Sequence, residues 1–310
     1  MEKMQCRVCK NELNNEFVEL QATMYGTKGK FPYFICAKCG CMQIVSMPVS
    51  MEEYYDNTEY YAFNMQKRKL KNHLLFSMMK KQVQKWNVLG WLVEWIYPVN
   101  YKFYRLVKRE CSILDVGCGQ GEMLLWLRKL GYQNLQGIDP YLSNDAENEG
   151  IRIYKSEILE YQPEQKYDMV TFIHSLEHIF PIHETISKLN EWVKKDGYVV
   201  FQLPVLSGYY WKKYGKNLYT LDPPRHFYIH TKESLEQLMI PYGYELVAYE
   251  TEFDAAIPMM ARNIKKGKTE KNQGTGFLSG AVVSLASTSL RKRLKKADDG
   301  AIATVVFKKI

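Results

Sequence analysis

From residue 113 onward, apolar runs alternate with polar or glycine-rich turns and with stretches of helical period. Ile113-Leu114-Asp115-Val116, Asn134 to Asp139, Ile151 to Tyr154, Tyr167 to Ile173 and Tyr198 to Phe201 have strand length. Between them, Met123-Leu124-Leu125-Trp126-Leu127 and Glu184 to Trp192 have helix spacing, and Lys194-Lys195-Asp196-Gly197 predicts a turn. Strands alternating with helices predict βαβ units and a parallel sheet. Two further strands are predicted at Tyr244 to Tyr249 and Ala301 to Phe307. Before this region the pattern changes twice. Phe17 to Leu20 and Phe31 to Cys36 predict short strands near the N-terminus. Residues 66–110 then carry apolar and aromatic positions on a helical period; Trp91 and Trp95 lie one turn apart, and Pro98 ends or kinks the helix.

Length and composition bound the picture without deciding it. A chain of 310 residues holds one sizeable α/β domain with a small accessory module. Hydrophobic content of 46% with 25% charge is ordinary for a globular protein. No apolar run approaches the ~20 residues that span a bilayer. Met1 to Gln5 leads straight into cysteines without a leader pattern, so the expected location is cytoplasmic. The seven cysteines then favour metal binding or burial over a disulfide framework. The net charge of +8 is uneven. Residues 66–110 carry eleven lysines and arginines against Glu94 and Glu110, and residues 261–296 carry ten against Glu270. The remainder is acidic, with 21 basic and 31 acidic residues. Two basic segments with interleaved apolar residues suit an anionic partner such as phosphate, a lipid headgroup or nucleic acid, or are solvated helix faces.

Cys6-x2-Cys9 and Cys36-x2-Cys39 form two knuckles separated by 26 residues. Each supplies two thiolates, and together they complete a tetrahedral zinc site without an open position, which marks the metal as structural. Cys41 offers a spare sulfur. A module of this size buries too little surface alone, and the metal supplies what is missing. The tyrosine cluster from Tyr54 to Tyr61 that follows suits either an interface or a sugar-binding cleft.

The chemistry centres on Asp115-Val116-Gly117-Cys118-Gly119-Gln120-Gly121. Glycines at alternate positions between a strand and a helix allow a sharp turn and a ligand lying against bare peptide groups. Asp139, 18 residues after Gly121, ends the next strand, where a carboxylate accepts hydrogen bonds from ribose hydroxyls. Ser156-Glu157-Ile158 follows the third strand, and His174-Ser175-Leu176-Glu177-His178 follows the fourth. In this order the elements resemble motif I and its partners in the class I S-adenosylmethionine (SAM) dependent methyltransferases, over residues 111–308. With the preceding cysteine module and tyrosine-rich linker, the chain is similar to bacterial sugar and glycan-biosynthesis methyltransferases carrying an N-terminal zinc module.

That resemblance implies an α/β fold: a Rossmann-like seven-stranded sheet with helices on both faces and its last strand antiparallel, plus a small N-terminal zinc ribbon. The implied division is residues 1–50 for the ribbon, 51–110 for the tyrosine-rich linker and basic helices, and 111–310 for the SAM-binding domain, with a basic insertion at about 252–300. The implied cofactor residues are Asp115, Gly117, Cys118, Gly119, Gly121, Asp139, Glu157, Ile158, His174 and Leu176, with Glu157 replacing the family's more usual Asp. A histidine of the Leu221 to Thr231 loop faces the acceptor in similar enzymes, which makes His226 the first candidate base and His178 the second, since imidazole titrates near neutral pH. His226 could equally brace the loop. The spacing of His174, His178 and His183 also admits a metal, but a SAM site accounts for that segment better.

The expected function is methyl transfer from SAM to a sugar hydroxyl or carbon of a nucleotide- or lipid-linked glycan precursor, with peripheral contact to an anionic membrane through 66–110 and 261–296. The alternatives are an RNA methyltransferase that uses the zinc ribbon and basic segments, and a non-enzymatic adaptor with a vestigial SAM pocket. Few basic residues in the ribbon beyond Lys3, Arg7 and Lys10 weigh against nucleic acid, and the intact glycines with Asp139 weigh against the adaptor.

Overall fold

In a computed structural model, which describes residues 4–24, 29–55, 69–84, 100–254, 256–267 and 288–310, the apolar runs form strands. At the N-terminus lie β1 (Glu16–Gln21), β2 (Lys30–Ile35) and β3 (Met42–Ile44). Then come β4 (Ser112–Val116), β5 (Asn134–Ile138), β6 (Ala146–Asn148), β7 (Ile151–Tyr154), β8 (Tyr167–Ile173) and β9 (Val193–Pro204). A two-residue strand, β10 (Tyr228–Ile229), precedes β11 (Tyr244–Glu252) and β12 (Ile302–Lys309). The large sheet runs β11-β12-β9-β8-β4-β5-β7-β6. Pairings β7–β5, β5–β4, β4–β8 and β8–β9 are parallel, and β12 is inserted antiparallel to both β9 and β11. This is the predicted Rossmann-like α/β sheet, extended by the short hairpin strand β6 at its edge.

Period-two alternation sorts the strand side chains onto two faces. On one face Leu114, Val116, Val170, Phe172, Val199, Phe201, Val305 and Phe307 share a core with apolar residues of Ile182–Trp192, of Lys232–Met239 and of the N-terminal strands. On the other, Ile113, Leu135, Met169, Val200 and Val306 pack with Met78, Met79 and Val83 of Lys69–Gln84 and with Leu124, Trp126 and Leu127 of Glu122–Lys129. Helices therefore cover both faces, and the strand ends are left to carry chemistry.

Local sequence explains two departures. The turn predicted at Lys194–Gly197 does not interrupt the chain's course but becomes a bulge inside β9. Tyr167 pairs with Val193 and Met169 with Tyr198, and Asp196 takes a left-handed φ of 62°. In the loop predicted from Leu221 to Thr231, Tyr228 and Ile229 form β10, which pairs antiparallel with β3, giving a second sheet in the order β1-β2-β3-β10. Around the insertion, helices Ile257–Lys265 and Thr288–Lys296 flank residues 268–287, and Leu294 is buried in the core. The predicted helix at Phe277 to Leu285, the tyrosines Tyr60 and Tyr61, and Trp86, Trp91 and Trp95 lie outside the described residues. Among the described residues no helix is long and apolar enough to cross a membrane.

Phe201, fully buried at the sheet centre with its ring 5.4 Å from Phe172 and 6.0 Å from Phe307, is the test of this core. Phe201→Ala is expected to cost about 3–5 kcal/mol, read by urea unfolding.

Candidate active site

The turns after β4 and β8 meet closely at the carboxyl edge of the sheet. Gly117 has φ 73°, and a Cβ there would lie 2.5 Å from Cβ of Ser175, whose hydroxyl donates to the Val116 carbonyl at 2.6 Å. Gly121 has φ 75°, and its Cβ would meet Ile153 of β7 at 2.3 Å. Only glycine satisfies both the backbone angle and the contact at these positions. Asp139, at the end of β5, folds over the same turn. It accepts from the Gly119 N–H at 2.8 Å and from the Tyr141 N–H at 2.9 Å, while burial raises its pKa. Each carboxylate oxygen keeps a second lone pair for a ligand. Asp115 stands behind the turn. Burial pushes its carboxyl up to about 7, against the Thr171 hydroxyl that donates to it at 2.7 Å. Glu157 is exposed, Ile158 is buried, Cys118 is half-buried beside Gly137, and the Leu176 side chain is wholly inside the core.

Beside this turn lies a cluster that sequence spacing only half disclosed. One ligand atom from each of Glu177, His178 and His226 lies within 4.8 Å of the others, and the two imidazole centroids are 4.7 Å apart. Backbone carbonyls fix both tautomers: His178 Nδ1 donates to Arg225 O at 2.8 Å, and His226 Nδ1 to Thr220 O at 2.9 Å. Each neutral ring thus keeps its lone pair on Nε2. Burial, followed by the His178 charge, pushes His226 down to about 4, so it is unprotonated at neutral pH. Glu177 is 1% exposed, and neither of its carboxylate oxygens has a hydrogen-bond partner. Burial alone would raise its pKa; His174 at 3.7 Å, with His178 and His226, holds it down at about 2. His174 reaches this position through a left-handed φ of 55°. His183 does not belong to the cluster. It bonds Tyr242 and the Val8 carbonyl, so the metal trio of His174, His178 and His183 that spacing admits, and that the sequence disfavours, is not assembled. Glu177 replaces it, with Tyr55, whose hydroxyl lies 3.1 Å from His178 Nδ1 and whose ring lies 4.8 Å from that of Tyr141.

The four knuckle cysteines converge. Cys6 and Cys39 sulfurs are 3.6 Å apart, Cys9 and Cys36 sulfurs 3.5 Å, and all four lie within 4.8 Å of one another. The Cys39 thiol beside Cys6, aided by the Cys9 N–H and the Gln43 side chain, lowers Cys6 to about 4. Cys41 is fully buried outside the set, with its sulfur 3.8 Å from His230 Nδ1.

Residues 68–249, more than half of the chain, match the sequence profile of the family described as Methyltransferase domain. The chain belongs to that methyltransferase family. A curated relative, a probable (S)-tetrahydroprotoberberine N-methyltransferase 2 of Papaver bracteatum, is 27% identical over 100 residues, covering 29% of this chain and 28% of that protein. The match thus spans under a third of that relative's length. Among solved structures, coclaurine N-methyltransferase bound to N-methylheliamine and S-adenosylhomocysteine (SAH) aligns with TM-score 0.42 and 15% identity, over 67% of this chain and 70% of that one. Plantazolicin methyltransferase, also with SAH, aligns with TM-score 0.46 and 15% identity, over 84% and 93%.

Two outcomes follow from this geometry. Gly117→Ala forces a left-handed alanine into Ser175, a strain of about 1–3 kcal/mol, and SAH affinity measured by calorimetry is expected to fall roughly tenfold or more. The His226 imidazole, followed by NMR, is expected to titrate with a midpoint of about 4. Because that value lies below the ~6.5 of an unfolded histidine, stability is lost as pH falls from ~6.5 towards 4. His178→Ala removes a neighbouring positive charge and is expected to raise the midpoint.

Proposed function

We propose that this protein transfers the methyl group of SAM to a hydroxyl or carbon atom of a sugar carried on a nucleotide or a lipid. The observation that supports it is the buried Glu177 carboxylate, held below its ordinary pKa, with ring nitrogens of His178 and His226 within 4.8 Å of it and His226 pushed down to about 4 by burial. Bound SAM supplies an activated methyl group, so the chain's own residues have to hold the acceptor in line and take its proton. Gly117, Cys118, Gly119 and Gly121 cradle the cofactor and Asp139 takes the ribose hydroxyls, with Asp115 behind the turn, Glu157, Ile158 and His174 as further cofactor residues, and Leu176, buried in the core, acting only through its backbone. His226 Nε2 receives the acceptor proton, and His178 is the alternative. Asp222 Oδ2, 4.0 Å from that nitrogen, and Glu177 stabilise the imidazolium that results. The basic segments 66–110 and 261–296 suit a phosphate- or lipid-linked acceptor.

A second reading, an amine acceptor, draws on the unpartnered Glu177 carboxylate, which fits an ammonium group, and on the N-methyltransferase named above. The two readings part on mutation. With a sugar acceptor, His226→Ala is expected to lower kcat about 10²–10⁴-fold with SAM affinity unchanged; unaltered turnover removes His226 as the base.

We also take residues 1–50 as a zinc ribbon in which Cys6, Cys9, Cys36 and Cys39 hold one Zn²⁺. The donor set fits: four sulfurs converge, and the Gln43 side chain donates to Cys6 Sγ at 2.9 Å, as outer-sphere partners of metal ligands do. One equivalent of zinc is expected by elemental analysis. Cys36→Ser is expected to lose it and to lower the melting temperature.

A further inference from the structure

We infer that the N-terminal cysteine module clamps the acceptor-side loop of the methyltransferase domain, with Tyr33 as the positioning residue for His226. This rests on the reading of His226 as an acceptor-side group. The loop from His226 to Thr231 is anchored from two sides; within its own domain, the His226 N–H donates to the Asp222 carbonyl at 3.2 Å, its Nδ1 to the Thr220 carbonyl at 2.9 Å, and Thr231 caps the helix that follows. Phe227 N–H donates to the Glu177 carbonyl at 2.8 Å, and Leu206 N–H to the His230 carbonyl at 2.8 Å. A second set of anchors comes from the module. Tyr33, fully buried, donates its hydroxyl to the His226 carbonyl at 2.8 Å. Ile44 N–H donates to the Phe227 carbonyl at 3.1 Å, Gln43 and Met42 pair with Tyr228 and Ile229, and the Thr231 hydroxyl donates to the Cys39 carbonyl at 2.6 Å.

A strand of two residues has no standing by itself. Without β3 beside them, Tyr228 and Ile229, now 0% and 1% exposed, would be uncovered. The link reaches the metal ligands directly. Gln43, opposite Tyr228 in the ladder, donates to the Cys6 sulfur, and Cys39 itself supplies the carbonyl that Thr231 binds. His183 closes the other side by bonding the Val8 carbonyl between Cys6 and Cys9 at 3.0 Å. The glycine turn is held differently: the Gly117 and Cys118 N–H groups donate to the Ile138 carbonyl and the Gly119 N–H to Asp139, within the methyltransferase domain. The module therefore governs the acceptor side and leaves the cofactor side alone. Loss of the metal, or of the Tyr33 hydroxyl, releases the loop while cofactor binding persists.

Hydrogen exchange read by mass spectrometry on the full-length protein tests this, comparing the zinc-loaded form, the form stripped by a zinc chelator, and zinc-loaded Tyr33→Phe. Exchange of the 226–231 amides is expected to quicken in Tyr33→Phe by about two- to tenfold, the worth of one hydrogen bond, and further in the stripped form. Exchange at 113–119 and SAH affinity by calorimetry are expected to stay within twofold. The His226 ring resonance is expected to shift in Tyr33→Phe, a change that loss of overall stability alone would not produce. Unchanged protection at 226–231 in Tyr33→Phe overturns the inference, as does equal loss at 113–119. If stripping unfolds the whole chain, the Tyr33→Phe arm, which keeps all four cysteines, decides. No acceptor is needed, so a wrong assignment of His226 as base would show in turnover and leave the exchange result untouched.

Discussion

The site depends on one close approach: the turn after β4 against the turn after β8, where Gly117 leaves no room for a Cβ beside Ser175. Because these strands are neighbours and parallel, their carboxyl ends fall side by side, and only glycine lets the two turns touch. That contact sets the glycine turn next to Leu176-Glu177-His178. The proposed cofactor wall and the Glu177, His178 and His226 cluster both border this single backbone fit. Everything farther out, including the His226 loop and Tyr55, is brought to that point from elsewhere in the chain.

The electrostatics of the point are unusual in their economy. Glu177 sits ionised in the interior without a hydrogen bond, a state that costs free energy unless charge nearby offsets it. His174, 3.7 Å away, with His178 and His226 supplies that offset and holds the carboxyl below its ordinary pKa. Burial keeps the His226 ring neutral at neutral pH, and Asp222 and Glu177 oppose that effect. Strain at His174 belongs to the same arrangement, since its left-handed backbone aims the ring at Glu177.

Much of this was legible in the chain. Parallel strands buried on both faces leave continuous apolar runs, so short-range pattern located the strands, and Gly117 to Gly121, Asp139 and Leu176-Glu177-His178 follow in the order in which those strands end. Three features escaped for a common reason. The Leu176-Glu177-His178 motif did not disclose the burial of Glu177 or its approach to His226, nearly fifty positions later. β10 has two residues, too few for any periodicity, and its partner β3 lies some 185 positions earlier. Tyr55 could be singled out as one of a tyrosine cluster, but its approach to His178 is a tertiary contact. Long-range pairing, invisible to local propensity, is what makes the N-terminal module part of the acceptor side.

The most direct test of the account is a crystal structure of the protein with SAH. The account predicts SAH along Gly117 to Gly121, its ribose hydroxyls on Asp139 and its sulfur facing His178 and His226. SAH bound away from the glycine turn, or with its sulfur directed away from the Glu177 cluster, would contradict it.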